Sequence, residues 1–429
     1  MTERTRRWNV PAALLLCTLA GAANASGQPV TLEHLVTEAL QRSPEIRAAR
    51  EAVDAARGRL TQAELRPNPV VNARDRRQLG GTDYQTMVDV EWPLDLGRRN
   101  ARVEVGRQDV AAATFAVRNA ERELAGRIRG QAGRWLAARR ALEVMDDVLR
   151  AARDLQTLLD SRVSEGVTPS VEGSIASVEL WRLEAERSLL VGEAEAEGIE
   201  LKRLCGLEPS AVVTLSDSLE SLVRDVPLAP PRPSDDDVTE RRADMREADA
   251  RVRLAAAQEE RARREGGFDL MLMGGFDRMR LGFPQVGLDH LGRHVPIENV
   301  MHSVTLGAAL TFPWRNRNQG TVAEAQSQRR EAEALREARA LAVRSELAAA
   351  RARETEAKRA SELYASSIRE LARRNTDVML ESYTLGRNSL SELLTEQRRY
   401  LDIEAAFTDM LARAYQARVA VRLAEGDHP

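Results

Sequence analysis

The segment Tyr84-Gln-Thr-Met-Val-Asp-Val-Glu-Trp92 decides the fold, because it alternates strictly. Successive side chains of an extended chain point to opposite sides. Tyr84, Thr86, Val88, Val90 and Trp92 therefore share one face, and Gln85, Met87, Asp89 and Glu91 share the other. Phe268, Leu270, Leu272, Gly274 and Phe276 repeat the apolar face further along. Val304, Leu306, Ala308, Leu310 and Phe312 form a third, opposite Ser303, Thr305, Gly307, Ala309 and Thr311. Residues 68–77 give a weaker fourth. Stretches of about nine to eleven residues, apolar on one side, polar on the other and aromatic at the ends, are the signature of a transmembrane β-barrel. The same alternation fits the edge of a soluble sandwich, and the rest of the chain has to choose between them. On the barrel reading, lipid meets Tyr84, Val88, Val90, Trp92, Phe268, Leu270, Leu272, Val304, Leu306, Leu310 and Phe312. Asp89, Glu91 and Asp269 then face water inside.

Four strands cannot close a barrel, and an open edge is forbidden in lipid. Chains must pool their strands. Two would make a filled eight-stranded barrel, and three a twelve-stranded one with an open bore. A conduit favours three.

Working outward, the chain is duplicated. Displaced by 220 positions, Pro93 falls on Pro313, Glu104 on Glu324, Gln108 on Gln328, Gly166 on Gly386, Glu172 on Glu392, Ala185 on Ala405 and Gly206 on Gly426. Upstream the displacement becomes 199, pairing Glu45-Ile46 with Asp244-Met245. The second copy thus carries about 21 extra residues between Asp277 and Met301. Self-similarity of this kind marks one supersecondary unit used twice. We divide the chain into a leader at 1–25, a first repeat at 26–206, a Pro-rich connection at 207–237 and a second repeat at 238–429. The extra residues are expected to form a longer loop at about 278–300.

Each copy reads as helix, strand pair, very long helix, turn, helix. No proline interrupts the stretch between Pro93 and Pro169, or residues 314–428. A helix over residues 94–164 would extend roughly 105 Å at about 1.5 Å per residue. Residues 321–385 promise nearly as much. The flanking helices, 44–66 and 170–204, together match the long one, so they can stack end to end alongside it. Ala, Glu, Arg and Leu dominate and aromatics make up only 4% of residues, which suits an elongated bundle of close-packed helices better than a globule.

The N-terminus has the layout of a secretory signal. Arg4, Arg6 and Arg7 precede an apolar stretch from Val10 to Ala20, and Ala23-Asn24-Ala25 offers a cleavage site before Ser26. That stretch is too short to span a bilayer as a helix, and no later segment reaches about eighteen uninterrupted apolar residues. Of two cysteines, Cys17 lies in the leader, so Cys205 has no intrachain partner after cleavage. Leu16 is bulky for the position before a lipidated cysteine, which argues against a lipid on Cys17. The formal net charge of −3, with 63 basic against 66 acidic residues, gives no electrostatic footprint for nucleic acid.

Taken together, these segments resemble a known family. Glu91-Trp-Pro-Leu-Asp-Leu-Gly-Arg-Arg99 resembles the strand-to-helix junction of TolC-like outer-membrane efflux factors. Thr31-Leu-Glu-His-Leu-Val-Thr-Glu-Ala-Leu40, followed by Ser43-Pro-Glu-Ile-Arg-Ala-Ala-Arg50, resembles their N-terminal helix. Tyr383-Thr-Leu-Gly-Arg-Asn-Ser-Leu-Ser-Glu-Leu-Leu394 resembles their last periplasmic tip. The resemblance implies a mainly α protein with a membrane β-barrel: a homotrimer whose twelve pooled strands cross the outer membrane above a helical periplasmic tunnel. Its partners would be outer-membrane lipid, a periplasmic adaptor and an inner-membrane pump. Thr311-Phe-Pro-Trp-Arg-Asn-Arg-Asn-Gln-Gly320 looks most like the heavy-metal (cobalt-zinc-cadmium type) branch. Outlets of multidrug or type I protein secretion systems share the fold. An adaptor or structural rod would instead have one hairpin and no lipid-type strands. One departure is Leu96-Gly-Arg-Arg99, where the family usually has a double glycine.

The candidate sites follow from these placements. Gly166 and Gly386 each end a long helix, where glycine tolerates left-handed φ. Thr168 with Pro169 reads as the next N-cap pair. By the resemblance, Gly166, Thr168, Gly386, Arg387 and Ser389 lie at the tips where an adaptor docks. Glu172 and Glu392, six residues beyond each glycine, would line the periplasmic constriction, with Arg387 close in sequence to Glu392. Ser389-x-x-Glu392 is equally a capping box. His290-Leu-Gly-Arg-His294 imitates a metalloprotease motif but lacks its glutamate, and Gly292 breaks the helix it needs. With His302, and with Met271, Met273 and Met301, these histidines raise soft-metal contact as an alternative to an exposed loop and barrel lining. No Ser/His/Asp set, nucleotide loop or cysteine metal site appears, so no enzyme, cofactor or resident metal is expected.

Overall fold

The structure is a computed structural model that describes residues 29–224 and 235–426. The leader, Cys17 and the prolines from Pro227 to Pro233 lie outside the described residues. Helices α1 (Leu32–Arg42) and α2 (Pro44–Glu64) lead into strands β1 (Val70–Arg77) and β2 (Tyr84–Leu94). Helix α3 (Arg98–Ser164) and helix α4 (Ser170–Leu204) complete the first repeat. Short helices α5 (Leu219–Arg224) and α6 (Asp235–Arg241) flank the connection. Then come α7 (Ala243–Glu265), β3 (Asp269–Leu288), β4 (His294–Thr311) and α8 (Gln319–Leu363). A π-turn (Tyr364–Ile368) joins α8 to α9 (Arg369–Thr384), and α10 (Leu390–Glu425) closes the chain.

The 67 residues of α3 span about 100 Å at about 1.5 Å per residue. Ala, Leu, Glu and Arg supply the propensity, and the absence of proline lets it run. As the lengths require, α2 and α4 both lie along α3, and α7 and α10 both lie along α8. The second long helix is not perfectly regular: its π-turn has no counterpart in α3. Among the described residues no helix is long and apolar enough to cross a membrane.

The main core sits midway along the bundle. Leu32, Leu35 and Val36 of α1 pack with Leu124 and Ile128 of α3, Leu201 of α4, and Leu411 and Tyr415 of α10. Leu215 and Leu219 join them from the inter-repeat segment. That segment is pinned where Val30 donates its N–H to the Thr214 carbonyl at 3.0 Å. Close approach of α10 to α3 depends on Gly133, where any Cβ would collide with the Tyr415 ring.

The four strands form one antiparallel sheet in the order β1-β2-β3-β4. Strand β2 begins where the alternation placed it and β1 and β3 begin within two residues of it, but the loop expected at about 278–300 is corrected. Strand β3 continues to Leu288 and β4 begins at His294, so most of the extra residues lengthen a hairpin. Only 289–293 turn, where the Asp289 carboxylate accepts the backbone N–H groups of Leu291 and Arg293, each at 2.9 Å. A register irregularity between Phe283 and Val286 lets the strand absorb the region around Pro284.

Candidate functional site

Two regions hold the predicted residues, the sheet and the far end of the helices. In the sheet, the register aligns Val88 with Phe276 and Phe276 with Val304. It likewise aligns Val90, Gly274 and Leu306, then Trp92, Leu272 and Ala308, then Leu94, Leu270 and Leu310. Directly paired residues of a sheet share a face. The alternation read separately from three strands thus merges into one continuous apolar surface. That surface is open in the single chain: Val304 is 75% and Leu306 84% exposed. From Val304 to Phe312 it extends about 26 Å along the strand at roughly 3.3 Å per residue. Aromatic rings mark its helical end, with Phe268 and Phe312 centred 5.3 Å apart and Trp314 6.2 Å from Phe312. At the other end, the Arg278 guanidinium stands over the Tyr84 ring.

The opposite face is polar and internally paired. Arg74 lies 3.6 Å from the Asp89 carboxylate, and Asn72 donates to Glu91 at 3.3 Å. Asp269 accepts from Arg98 at 3.1 Å. The unusual arginine after Gly97 has a clear structural role. The Arg98 guanidinium also donates to the Glu265 and Gly267 carbonyls at 3.3 and 3.1 Å, so the start of α3 is tied to the end of α7. Gly97 holds a left-handed φ of 78° before α3, and Asn318 takes φ 61° before α8.

At the far end, α3–α4 and α9–α10 form two helical hairpins with the same turn. Gly166 has φ 72° and Gly386 φ 70°. The Gly166 N–H donates to the Val163 carbonyl and the Val167 N–H to the Arg162 carbonyl. Gly386 and Arg387 repeat this pattern onto Tyr383 and Ser382, so both ends are Schellman motifs. Thr168 is not an N-cap: α4 starts at Ser170 after Pro169 with no side-chain cap, and the Thr168 N–H instead donates to Arg162. Pro169 itself occupies the N-cap position and has no side-chain oxygen to accept the free N–H groups of the first turn.

The hairpins are locked together. Leu155, Leu159, Ala176, Tyr383, Leu390 and Leu393 make a buried cluster between them. The Tyr383 hydroxyl donates to the Glu172 carboxylate at 3.0 Å, and Arg162 donates to the Thr384 carbonyl at 3.1 Å. Burial first, and then the Glu172 carboxylate, push the Tyr383 phenol up to about 12. Further along, Glu179 accepts from Arg182 and Arg398, each at 2.6 Å. Burial alone would raise its pKa, but hydrogen bonds from these two arginines hold it down at about 2.

Glu172 and Glu392, placed alike by sequence, differ in surroundings. Glu392 is exposed and completes a capping box: Ser389 N–H donates to its carboxylate at 2.8 Å, and its own N–H donates to Ser389 Oγ at 3.3 Å. These backbone and side-chain bonds from Ser389 lower its pKa. Among the described residues no ion pair links Arg387 to either glutamate. The histidines do not converge. His290 lies in the turn, while His294 and His302 are eight residues apart on one strand. Among the described residues, no group of three or more His, Cys, Asp or Glu is arranged to hold a metal. Sequence reasoning had no means of finding Tyr383 or Arg398 as partners, because both act across more than 200 positions.

Comparison with known proteins agrees with this geometry. Residues 35–207 match the model of a family described as outer membrane efflux protein. No curated protein matches the chain. Among solved structures, the open state of the Neisseria gonorrhoeae outer-membrane channel MtrE is similar over 99% of this chain and 98% of its own, with TM-score 0.75 and 17% identity. CusC matches over 98% of this chain and 99% of its own, with TM-score 0.73 and 18% identity. The Vibrio cholerae outer membrane protein VceC matches over 92% and 96%, with TM-score 0.70 and 19% identity. At these identities the likeness is one of fold.

Proposed function

We propose, from the match of residues 35–207 to the outer membrane efflux protein family and from the sheet, that this chain is the outer-membrane channel of a tripartite efflux system: three copies forming a passive exit duct. The observation that carries this is the sheet. Its apolar face is continuous across β2, β3 and β4, while β1 and β4 are both unpaired edges. An unpaired edge in lipid leaves backbone groups unsatisfied at several kcal/mol each. Pairing β4 of one copy with β1 of the next removes every edge at once and closes twelve strands. The helices hang from one end of that barrel as a tunnel of about 100 Å.

In this reading the two hairpins point into the periplasm. Gly166, Thr168, Gly386, Arg387 and Ser389 are presented to an adaptor, which connects the duct to an inner-membrane pump. Glu172 and Glu392 stand near one ring at the tunnel end, where three copies bring six carboxylates together. The duct passes metal cations or small toxic compounds selected by the pump. The extended β3–β4 hairpin rises beyond the lipid band on the outer side.

Arginine placed in the strands tests the arrangement. Val88→Arg or Leu306→Arg puts a charge at mid-membrane, at about 2–4 kcal/mol each. Both should block assembly into the outer membrane, as read by membrane fractionation. Thr305→Arg, one position away but facing water, should assemble normally. An equal effect on both faces would overturn the register.

A further inference from the structure

The geometry points to a binding site for a soft monovalent cation, of the copper(I) or silver(I) kind, on the inner face of the barrel. This inference rests on the channel reading, since that reading makes the face opposite the lipid band an interior. Consider the strand segments 84–94, 269–280 and 300–311. Apart from Pro93, every large apolar side chain on their inner face is a methionine: Met87, Met271, Met273, Met279 and Met301. On the outer face the apolar residues are Val, Leu, Phe, Trp and Ala, with no methionine. Filling space does not explain this division, because leucine fills space as well and is used freely a residue away.

What methionine adds is a polarisable thioether, a soft ligand that selects copper(I) over harder cations. The register gathers three of them around one carboxylate. Met279 is the direct partner of Met301, and Asp277 pairs with Met87 on one side and Ser303 on the other. Asp277 and Met279 are two apart on β3, so their side chains emerge together. One Asp277 oxygen, Oδ1, is shielded from solvent and has no hydrogen-bond partner. By contrast, Asp89 and Glu91 on the same face have partners. A desolvated, unpartnered carboxylate oxygen is costly and calls for a donor or a cation. Three thioethers and one carboxylate oxygen supply a low-coordinate, largely sulfur donor set. Met271 and Met273 continue the line toward the tunnel, with the Met273 methyl reaching across Gly307. A cation leaving the tunnel therefore meets thioethers on two successive levels of the barrel.

The test uses the purified full-length channel in detergent. Silver(I) is titrated calorimetrically, and copper(I) is competed against a chromogenic chelator under ascorbate. Saturable binding of both is expected, with silver affinity falling at least tenfold in the Met87→Leu, Met279→Leu, Met301→Leu triple variant. Asp277→Asn should weaken binding by a smaller factor, and zinc(II) should bind far more weakly than silver at these residues. Potassium conductance of the triple variant in planar bilayers should match the parent, because leucine preserves volume and the lipid face is untouched. A conducting channel that does not bind silver, or binds it equally after the triple substitution, overturns the inference while leaving the duct intact. Equal affinity for zinc overturns the soft-cation assignment. A protein that neither oligomerises nor conducts fails the channel reading instead.

Discussion

Single residues decide how the ends of the two helical hairpins are held. Glu392 has two roles to separate, capping its own helix and contributing charge to a ring. Ser389→Ala removes the cap hydroxyl but keeps the carboxylate, and should cost about 1 kcal/mol of stability with conductance unchanged. Glu392→Gln keeps much of the cap and removes the charge. If the ring constricts the duct, this change raises single-channel conductance and lowers cation preference, since fixed negative charge favours cations. Unchanged conductance and selectivity would leave capping as its whole role. Tyr383→Phe tests the other glutamate: losing the bond to Glu172 unties the two hairpins and should raise open probability. Sequence made the glycines and the capping box legible because both are local patterns. It misplaced the Thr168 cap by offering a good cap residue one position ahead of Pro169, which takes the N-cap position before α4 starts at Ser170. The Glu172–Tyr383 bond was invisible, since nothing in either local stretch specifies the other.

Among elements, helix pairs are fixed by small residues and by buried ionic clusters. Gly133→Ala forces a methyl against the Tyr415 ring and should destabilise the bundle by about 1–3 kcal/mol, read as a lowered midpoint of thermal unfolding. Glu179 joins α4 to α10 through Arg398, and its sign with pH is definite. Its folded pKa of about 2 lies below the ordinary 4.5, so its stabilisation is complete above about 4.5 and is lost as pH falls toward 2. Glu179→Gln should therefore lower the unfolding midpoint near pH 7, and the gap from the parent should close as pH approaches 2. A gap that persists there would deny the carboxylate this role. The strands were legible at this scale wherever alternation was clean. Between Asp277 and Met301 it was not, because Gly282, Pro284, Gly287, Gly292 and Pro296 read as loop. The hairpin nonetheless continues, carried by cross-strand pairing and a bulge that a linear reading cannot weigh. The π-turn at Tyr364 left no mark in composition.

For the whole molecule, the duplication was the most informative feature of the sequence. It predicted two hairpins of helices and two of strands, and both pairs are present with matching glycine conformations at Gly166 and Gly386 and at Gly206 and Gly426. What one chain lacks is closure. Its exposed apolar face and two bare edges would be a liability in water and are forbidden in lipid, which is the physical ground for the proposed ring. In the proposed channel, three copies would satisfy the edges and leave a bore. Native mass measurement of the mature protein, extracted from membranes in mild detergent, tests this most directly. The account predicts a stable species of three times the chain mass, with neither monomer nor dimer competent to conduct; a membrane-inserted, conducting monomer or dimer would contradict it.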